Sequence, residues 1–329
     1  MKYAIAFITI LLSMVAFQCD AFSKTPLVVY TTFETDALAA LKSAFEKEHP
    51  DIEIKYIRDS AGPITARLIA EKDAPQADAI FVLTAVGLED LKRLDMLEPY
   101  AIKDREKLSP HMLTDDDMWT GVYAYGTALC VNENDLKERG LPVPQSWEDL
   151  LKPEYQGLIT MPNPASSGVG YTLVYGWLQD MGEEKGWEFM DALHKNIKMY
   201  THGGSKPAQL AAQGEAPIGL SSKSFTHPLL EQGAPLVIIE PKSGLSWEKI
   251  GAALPKNSRH PVEAKLLLDF IASDAWGKIC TSRNVVSARP EFTTEAGKAT
   301  EKLLIPQDFT DAAVRKPEIL RQWRERYEK

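Results

Sequence analysis

The feature that most constrains this chain is a repeated switch between two hydrophobic periods. Leu27-Val28-Val29-Tyr30-Thr31 is an unbroken β-prone run, which suits a parallel strand covered on both faces. Beyond it, Ala37, Leu38, Leu41, Ala44 and Phe45 return at helical spacing, with Thr35 or Asp36 as a cap and His49-Pro50 as the stop. Ile52, Ile54 and Tyr56 then alternate as a strand. Ser60-Ala61-Gly62-Pro63 opens a second helix, with proline in the first turn, where its missing N–H costs nothing. Asp78-Ala79-Ile80-Phe81-Val82 is a third strand, and Thr84 heads a third helix. This βαβαβ order is the unit of a doubly wound sheet.

The pattern resumes later in the chain. Tyr123 to Val131 is β-prone. Ser146 to Leu150 reads as a helix, with Asp149 placed as in a capping box. Strands follow at Gly157 to Met161, Ile197 to Thr201, Ala216 to Ser221 and Leu236 to Glu240. Helices fall near 168–180, 183–195, 209–213 and 261–276, and a charged helical tail starts at 311. A chain of 329 residues exceeds one ordinary core. The two α/β units are of similar size and are joined by β-prone segments rather than a flexible linker. They predict an α/β fold of two lobes with crossover hinge strands: residues 22–125, with 247–329 returning to them, and residues 126–246. On such sheets ligands lie beyond the carboxyl ends of the strands, at helix N-termini, and facing lobes close as a hinge.

The first 21 residues stand apart. Lys2 precedes the apolar run 4–17, which is too short to cross a bilayer, and Cys19-Asp20-Ala21 supplies the small residues of a cleavage site. Residues 1–21 are therefore expected to be a signal peptide cut after Ala21, and the mature protein to be periplasmic. The alternative is a lipoprotein anchored through Cys19, against which bulky Gln18 stands. An exported chain permits a disulfide between Cys130 and Cys280, but their separation carries no framework signal, and two buried thiols are the preferred reading. A net charge of -9 argues against a nucleic-acid partner, while leaving room for a small anion held by local donors.

Those donors are expected where strands pass into helices. The candidates are Thr31 and Thr32 after the first strand, Ser60 and Gly62 after the second, and Thr84 after the third. In the second half they are Ser166-Ser167-Gly168, Gly204-Ser205-Lys206, and Ser221-Ser222. A helix N-terminus leaves about four N–H groups unpaired and carries partial positive charge. Ser, Thr and Gly let an oxyanion reach those groups and add hydroxyl donors. Any one of these junctions alone is an ordinary N-cap; their recurrence points to a small anionic ligand. Lys206 pairs with that anion or is simply solvated, and Glu34 receives a ligand amine or merely favours the first helix.

The segment Trp147-Glu148-Asp149-Leu150-Leu151-Lys152-Pro153-Glu154-Tyr155-Gln156-Gly157-Leu158-Ile159 resembles a signature of ABC-importer solute-binding proteins, in the group of ferric-iron, 2-aminoethylphosphonate and hexose-phosphate binders. Pro164 to Gly168 with Tyr171-Thr172, Gly214 to Leu220, and Ala264 to Trp276 are similar to that group in the same order. The resemblance implies a two-lobed periplasmic-binding fold of type II, a monomer, no cofactor, and a membrane permease with its ATPase as partner. Ferric binders of the group carry adjacent tyrosines after the strand matching 216–221. Here that place reads Ser221-Ser222-Lys223-Ser224-Phe225, and the hexose-phosphate group's His-Asp pair is replaced by His227-Pro228. A phosphonate or phosphate ester is the expected solute, with ferric-iron transport and a secreted phosphate-ester hydrolase as the alternatives.

Neither catalytic residues nor metal ligands are expected. Among the histidines at 49, 111, 194, 202, 227 and 260 no pair has metal-ligand spacing. No G-x-S-x-G elbow occurs, and Asp115-Asp116-Asp117 lacks the oxygen spacing of a calcium loop. Trp247 is the tryptophan most expected at the cleft.

Overall fold

The computed structural model describes residues 24–328; the expected signal peptide and Cys19 lie outside the described residues. In the first half, β1 (Thr25–Thr31), α1 (Thr35–Glu48), β2 (Ile52–Arg58), α2 (Ala61–Ala70), β3 (Ala79–Thr84) and α3 (Ala85–Arg93) follow the expected order, with β1 parallel to both β2 and β3. The stripe of α1 behaves as its spacing requires, since Ala37, Leu38, Leu41 and Phe45 are buried. A short β4 (Leu97–Glu98) precedes β5 (Thr120–Asn132), which is buried along its whole length.

The second half comprises α4 (Glu133–Glu138), β6 (Ile159–Pro162), α5 (Gly168–Met181), α6 (Glu183–His194), β7 (Ile197–Thr201), α7 (Lys206–Ala212), β8 (Ile218–Ser222), α8 (Lys223–Glu231) and β9 (Leu236–Ile239). β6 runs parallel to β7 and β8. The chain then returns through β10 (Trp247–Pro255), α9 (Pro261–Asp269), α10 (Asp274–Ser282), β11 (Val286–Ser287), α11 (Glu295–Glu301) and α12 (Phe309–Tyr327). The sheet order is β2-β1-β3-β10-β5-β8-β6-β7.

β5 and β10 make the crossover. Residues 120–126 of β5 pair antiparallel with β10, which also pairs with β3, while residues 127–131 pair with β8. A single strand thus belongs to both halves. Two lobes joined through continuous strands rather than a loose linker can rotate only by bending those strands.

Three local expectations give way to the structure. Residues 146–150 form only a short turn of 3-10 helix, Glu148–Leu151, although the box is real: the Asp149 carboxylate accepts from the Ser146 N–H, and the Ser146 hydroxyl accepts from the Asp149 N–H. Lys152-Pro153 stops the helix there. The apolar stretch 261–276 divides at Ser273, whose hydroxyl accepts from the Trp276 N–H and starts α10 afresh. The returning segment also divides. β10 joins the first lobe's sheet, but α12 lies against both lobes. The Tyr171 and Tyr175 hydroxyls donate to Ala312 O and Asp311 on one side, and Lys316 meets Asp90 of α3 at 3.5 Å on the other. Cys130 and Cys280 are buried free thiols, on β5 and α10. No described helix is long and apolar enough to cross a membrane.

Candidate functional site

A cavity of about 370 Å³ lies between the lobes, on one face of the crossover strands. The first lobe supplies Thr32, Phe33 and Glu34 ahead of α1, Arg58 to Ala61 ahead of α2, and Thr84 ahead of α3. From the second lobe come Ser167 to Val169 at the start of α5 and His202 to Ser205 ahead of α7, with Phe225 of α8. Tyr123 and Tyr125 of β5 and Ile250 of β10 form the floor.

The lobes are closed on this cavity. The Gly62 N–H donates to Ser166 O across the cleft at 2.9 Å, and His202 Nε2 donates to Asp59 Oδ1 at 2.8 Å. The absence of a side chain at two glycines permits this approach. A Cβ on Gly62 would stand 2.3 Å from Ala165 O, and one on Gly168 would stand 2.6 Å from Thr84 Cγ2.

Several backbone amides around the cavity are unspent. Ala61, Gly168, Val169, Gly204 and Ser205 are absent from the donors that find a protein acceptor among the described residues. They sit at helix starts in both lobes, where the peptide dipoles add partial positive charge. Arg58 adds the guanidinium. Its Nε donates to Phe33 O and its Nη2 to Glu34 Oε2, both at 2.7 Å, so it is fixed in place rather than free to sweep through solvent. The hydrogen bond from His202 holds the Asp59 carboxyl below its usual range. Tyr123 and Tyr125 are nearly buried, and no protein group among the described residues bonds to either hydroxyl. Burial pushes both phenols upward in pKa, so they stand as neutral donors and acceptors.

One residue beneath the cleft is strained. Val82 has φ of 63°, a left-handed conformation that a β-branched residue rarely adopts. It falls where the β3–β10 register shifts between Gly251 and Ala252. The bulge turns the Val82 carbonyl toward Thr32, whose N–H and hydroxyl both donate to it, at 2.9 and 2.8 Å. The strain joins the β1–α1 junction to the end of β3 and so fixes Thr32 and Thr84 around one space.

The structure brings together Thr32, Ser60, Thr84, Ser167, Gly168, Gly204 and Ser205 of the expected set. It places the others off the cavity. The Thr31 hydroxyl accepts from the Phe33 N–H inside the first lobe. Gly62 and Ser166 meet each other across the lobes, and the Ser166 hydroxyl donates to His202 O. The Ser221 hydroxyl donates to Gly204 O, and Ser222 bonds to Ser224, both inside the second lobe. Lys206 is exposed and does not line the cavity. The start of α3 is also largely taken: the Ala85 N–H donates to Glu248 and the Gly87 N–H to the Thr84 hydroxyl. Trp247 faces away from the cleft, because Glu248 and Ile250 are the β10 residues on the cleft side. Arg58, Asp59, Tyr123, Tyr125 and Phe225 were not foreseen. The one available signal was the charged pair Arg58-Asp59 directly after a strand.

Glu248 bears on closure. It is fully buried on β10, with Oε1 accepting from the Ala85 N–H of the first lobe and Oε2 bonded to the Thr172 hydroxyl of the second. Burial raises its pKa to about 8, against the opposing pull of those hydrogen bonds. The raised value fixes the sign. The group's stabilising contribution is complete below 4.5, its ordinary value, and is lost as pH climbs to about 8. Each pH unit in that window corresponds to about 1.4 kcal/mol. Glutamine imitates the neutral acid, so Glu248→Gln should match the wild-type melting temperature at pH 5 and exceed it by several degrees at pH 8.5. Thermal unfolding of both proteins from pH 5 to 9 checks this; parallel curves would refute it.

Fold and site together define a two-lobed solute-binding protein, closed around a polar cavity rich in backbone donors. The chain belongs to the bacterial extracellular solute-binding protein family, whose pattern matches residues 77–312. It is similar to an uncharacterized protein of Haemophilus influenzae, 29% identical over 325 residues, covering 92% of this chain and 91% of that one. It is also similar to the phosphoglycerate transport regulatory protein PgtC of Salmonella typhimurium, 26% identical over 81% of this chain, though it spans only 66% of that protein's length. Among solved structures, the periplasmic binding protein AfuA of Actinobacillus pleuropneumoniae, with fructose-6-phosphate bound, superposes with a TM-score of 0.88 at 28% identity, covering 93% of this chain and 99% of that one.

Proposed function

We propose that this protein is the exported receptor of an ABC importer and captures a small phosphorylated solute between its lobes. One observation carries the reading: unspent amides from both lobes and a fixed guanidinium surround one closed cavity. A phosphoryl group has the oxygens to satisfy several of those donors at once. The aromatic floor of Tyr123 and Tyr125, with Phe225 at 6.0 Å from Tyr125, suits the carbon skeleton and hydroxyls of a sugar or polyol. Sugar phosphate and phosphoglycerate appear in the names of similar proteins, which supports the same class here. Ligand contacts with both lobes favour the closed state, and a permease with its ATPase reads that state. Residues 1–21 serve as the export signal in this reading, and the protein acts in the periplasm.

Ferric iron is the less suitable cargo. Among the described residues no group of three or more His, Cys, Asp or Glu side chains gathers that could hold a metal ion. A thermal-shift panel tests the proposal with fructose 6-phosphate, 3-phosphoglycerate, 2-aminoethylphosphonate, ferric citrate and glucose. Ligand at a hundred times its Kd stabilises the folded state by about 2.7 kcal/mol, a rise of several degrees. The largest rise should come from a phosphorus compound. A flat response to all three of those with a clear rise for glucose or ferric citrate would overturn the reading.

A further inference from the structure

The crossover strands carry the cleft on only one face. On β5, Tyr123 and Tyr125 line it while Ala124 between them faces the other way, as pleating requires. On β10, Trp247 and Lys249 share that opposite face, and Lys249 pairs with Ala124 across the ladder. Behind the hinge these residues floor a second cavity of about 530 Å³, larger than the cleft at about 370 Å³. Met112 of the first lobe and Phe309 at the start of α12 wall it.

The cavity's chemistry is amphipathic. Trp247 and Phe309 meet edge to face, with ring centres 4.8 Å apart, and present an apolar corner. The Lys249 ammonium lies 5.5 Å from the Trp119 ring and 5.7 Å from the Phe309 ring, and it donates to His111 O at 2.5 Å. Among the described residues no carboxylate comes within ion-pair distance of it. The other charged groups lining the cavity are Lys298, paired with Glu295 at 2.8 Å, and Glu301. Partial burial depresses the Lys249 pKa, against the opposing pull of the Glu248 and Glu89 carboxylates, which lie beyond ion-pair distance. A partly desolvated ammonium beside an apolar corner is complemented by a negative head on an apolar body.

We infer that the back of the hinge is a second ligand site, for a small organic anion with an aromatic or aliphatic body, its head on Lys249 and its body against Trp247 and Phe309. The site is independent of the solute taken in the cleft. Titration of the full chain with 8-anilinonaphthalene-1-sulfonate, followed by fluorescence, tests it. One saturable site per chain is expected. Octanoate should displace the dye, and octylamine at the same concentration should not. Lys249→Met should weaken dye binding about tenfold, the scale of one charge-assisted contact, while a charge placed in the cleft by Ser205→Asp should leave it unchanged. Displacement by octylamine equal to that by octanoate, or wild-type affinity in Lys249→Met, overturns the assignment. Should Lys249→Met fail to fold, the carboxylate-against-amine comparison on the native protein decides alone.

Discussion

Ser205→Asp should lower affinity for a phosphorylated solute at least about a hundredfold, with the fold intact. Ser205 lines the cavity, half-buried, and its amide and that of Gly204 find no protein acceptor among the described residues. An aspartate carboxylate there occupies the space next to those amides and faces the ligand with like charge. Two unit charges about 4 Å apart near a protein surface repel by roughly 4 kcal/mol, and a hundredfold loss needs only about 2.7 kcal/mol. The fold should not suffer, because Ser205 is only half-buried and its side chain makes no capping hydrogen bond to α7 that the substitution would remove. Ser205→Asn has nearly the same shape without the charge and should stay within a few-fold of wild type. Calorimetric titration of the three proteins with whichever phosphorus compound stabilises the native protein most separates charge from shape. Equal affinity for the aspartate and asparagine variants would mean that no anion sits at this junction.

The junction that carries this prediction was legible because two independent signals met there. A glycine-rich, hydroxyl-bearing turn followed a strand and preceded a helix, and the same pattern recurred in the other half. What the sequence left obscure has physical causes. Ser221 and Ser222 look equivalent to Ser205, yet they are still within β8 and both are fully buried against protein partners. Tyr123 and Tyr125 were hidden by β5 itself. A strand covered on both faces shows no alternation, so nothing in the sequence says which tyrosines meet a cavity and which meet core. Arg58 ends β2 beside Asp59, a charged pair like many solvated loop residues, and only the fold turns it toward the backbone of Phe33. β10 escaped because Gly251-Ala252-Ala253 carries little β preference; its place is set by pairing with β3 and β5 on either side. The strained Val82 lies outside any propensity rule, since only the bulge against β10 puts a valine there.

Gly62 makes the sharpest distinction between a residue that touches the solute and one that lets the lobes meet. From sequence it reads as a glycine that lets an anion approach an amide. In the structure that amide is spent on Ser166 O of the opposite lobe, and the missing side chain is what permits the contact. The atoms nearest a Cβ at this position, Ala165 O at 2.3 Å and Ser166 Cα at 3.0 Å, belong to the backbone of the second lobe and cannot swing aside. Gly62→Ala therefore penalises only the closed form. Within the first lobe the change is harmless or mildly favourable, since Gly62 is in the first turn of α2 and alanine is the better helix former. Overpacking of this kind costs roughly 1–3 kcal/mol, so affinity for the solute should fall about ten- to a hundredfold through closure alone. The ligand-free melting temperature should stay level or rise slightly. Small-angle scattering should show the native protein contracting when the solute is added, and Gly62→Ala contracting only at much higher concentration. If the variant binds and contracts like the native protein, the lobes do not meet at Gly62 and Ser166 in solution, and the closed arrangement around the cavity loses its support.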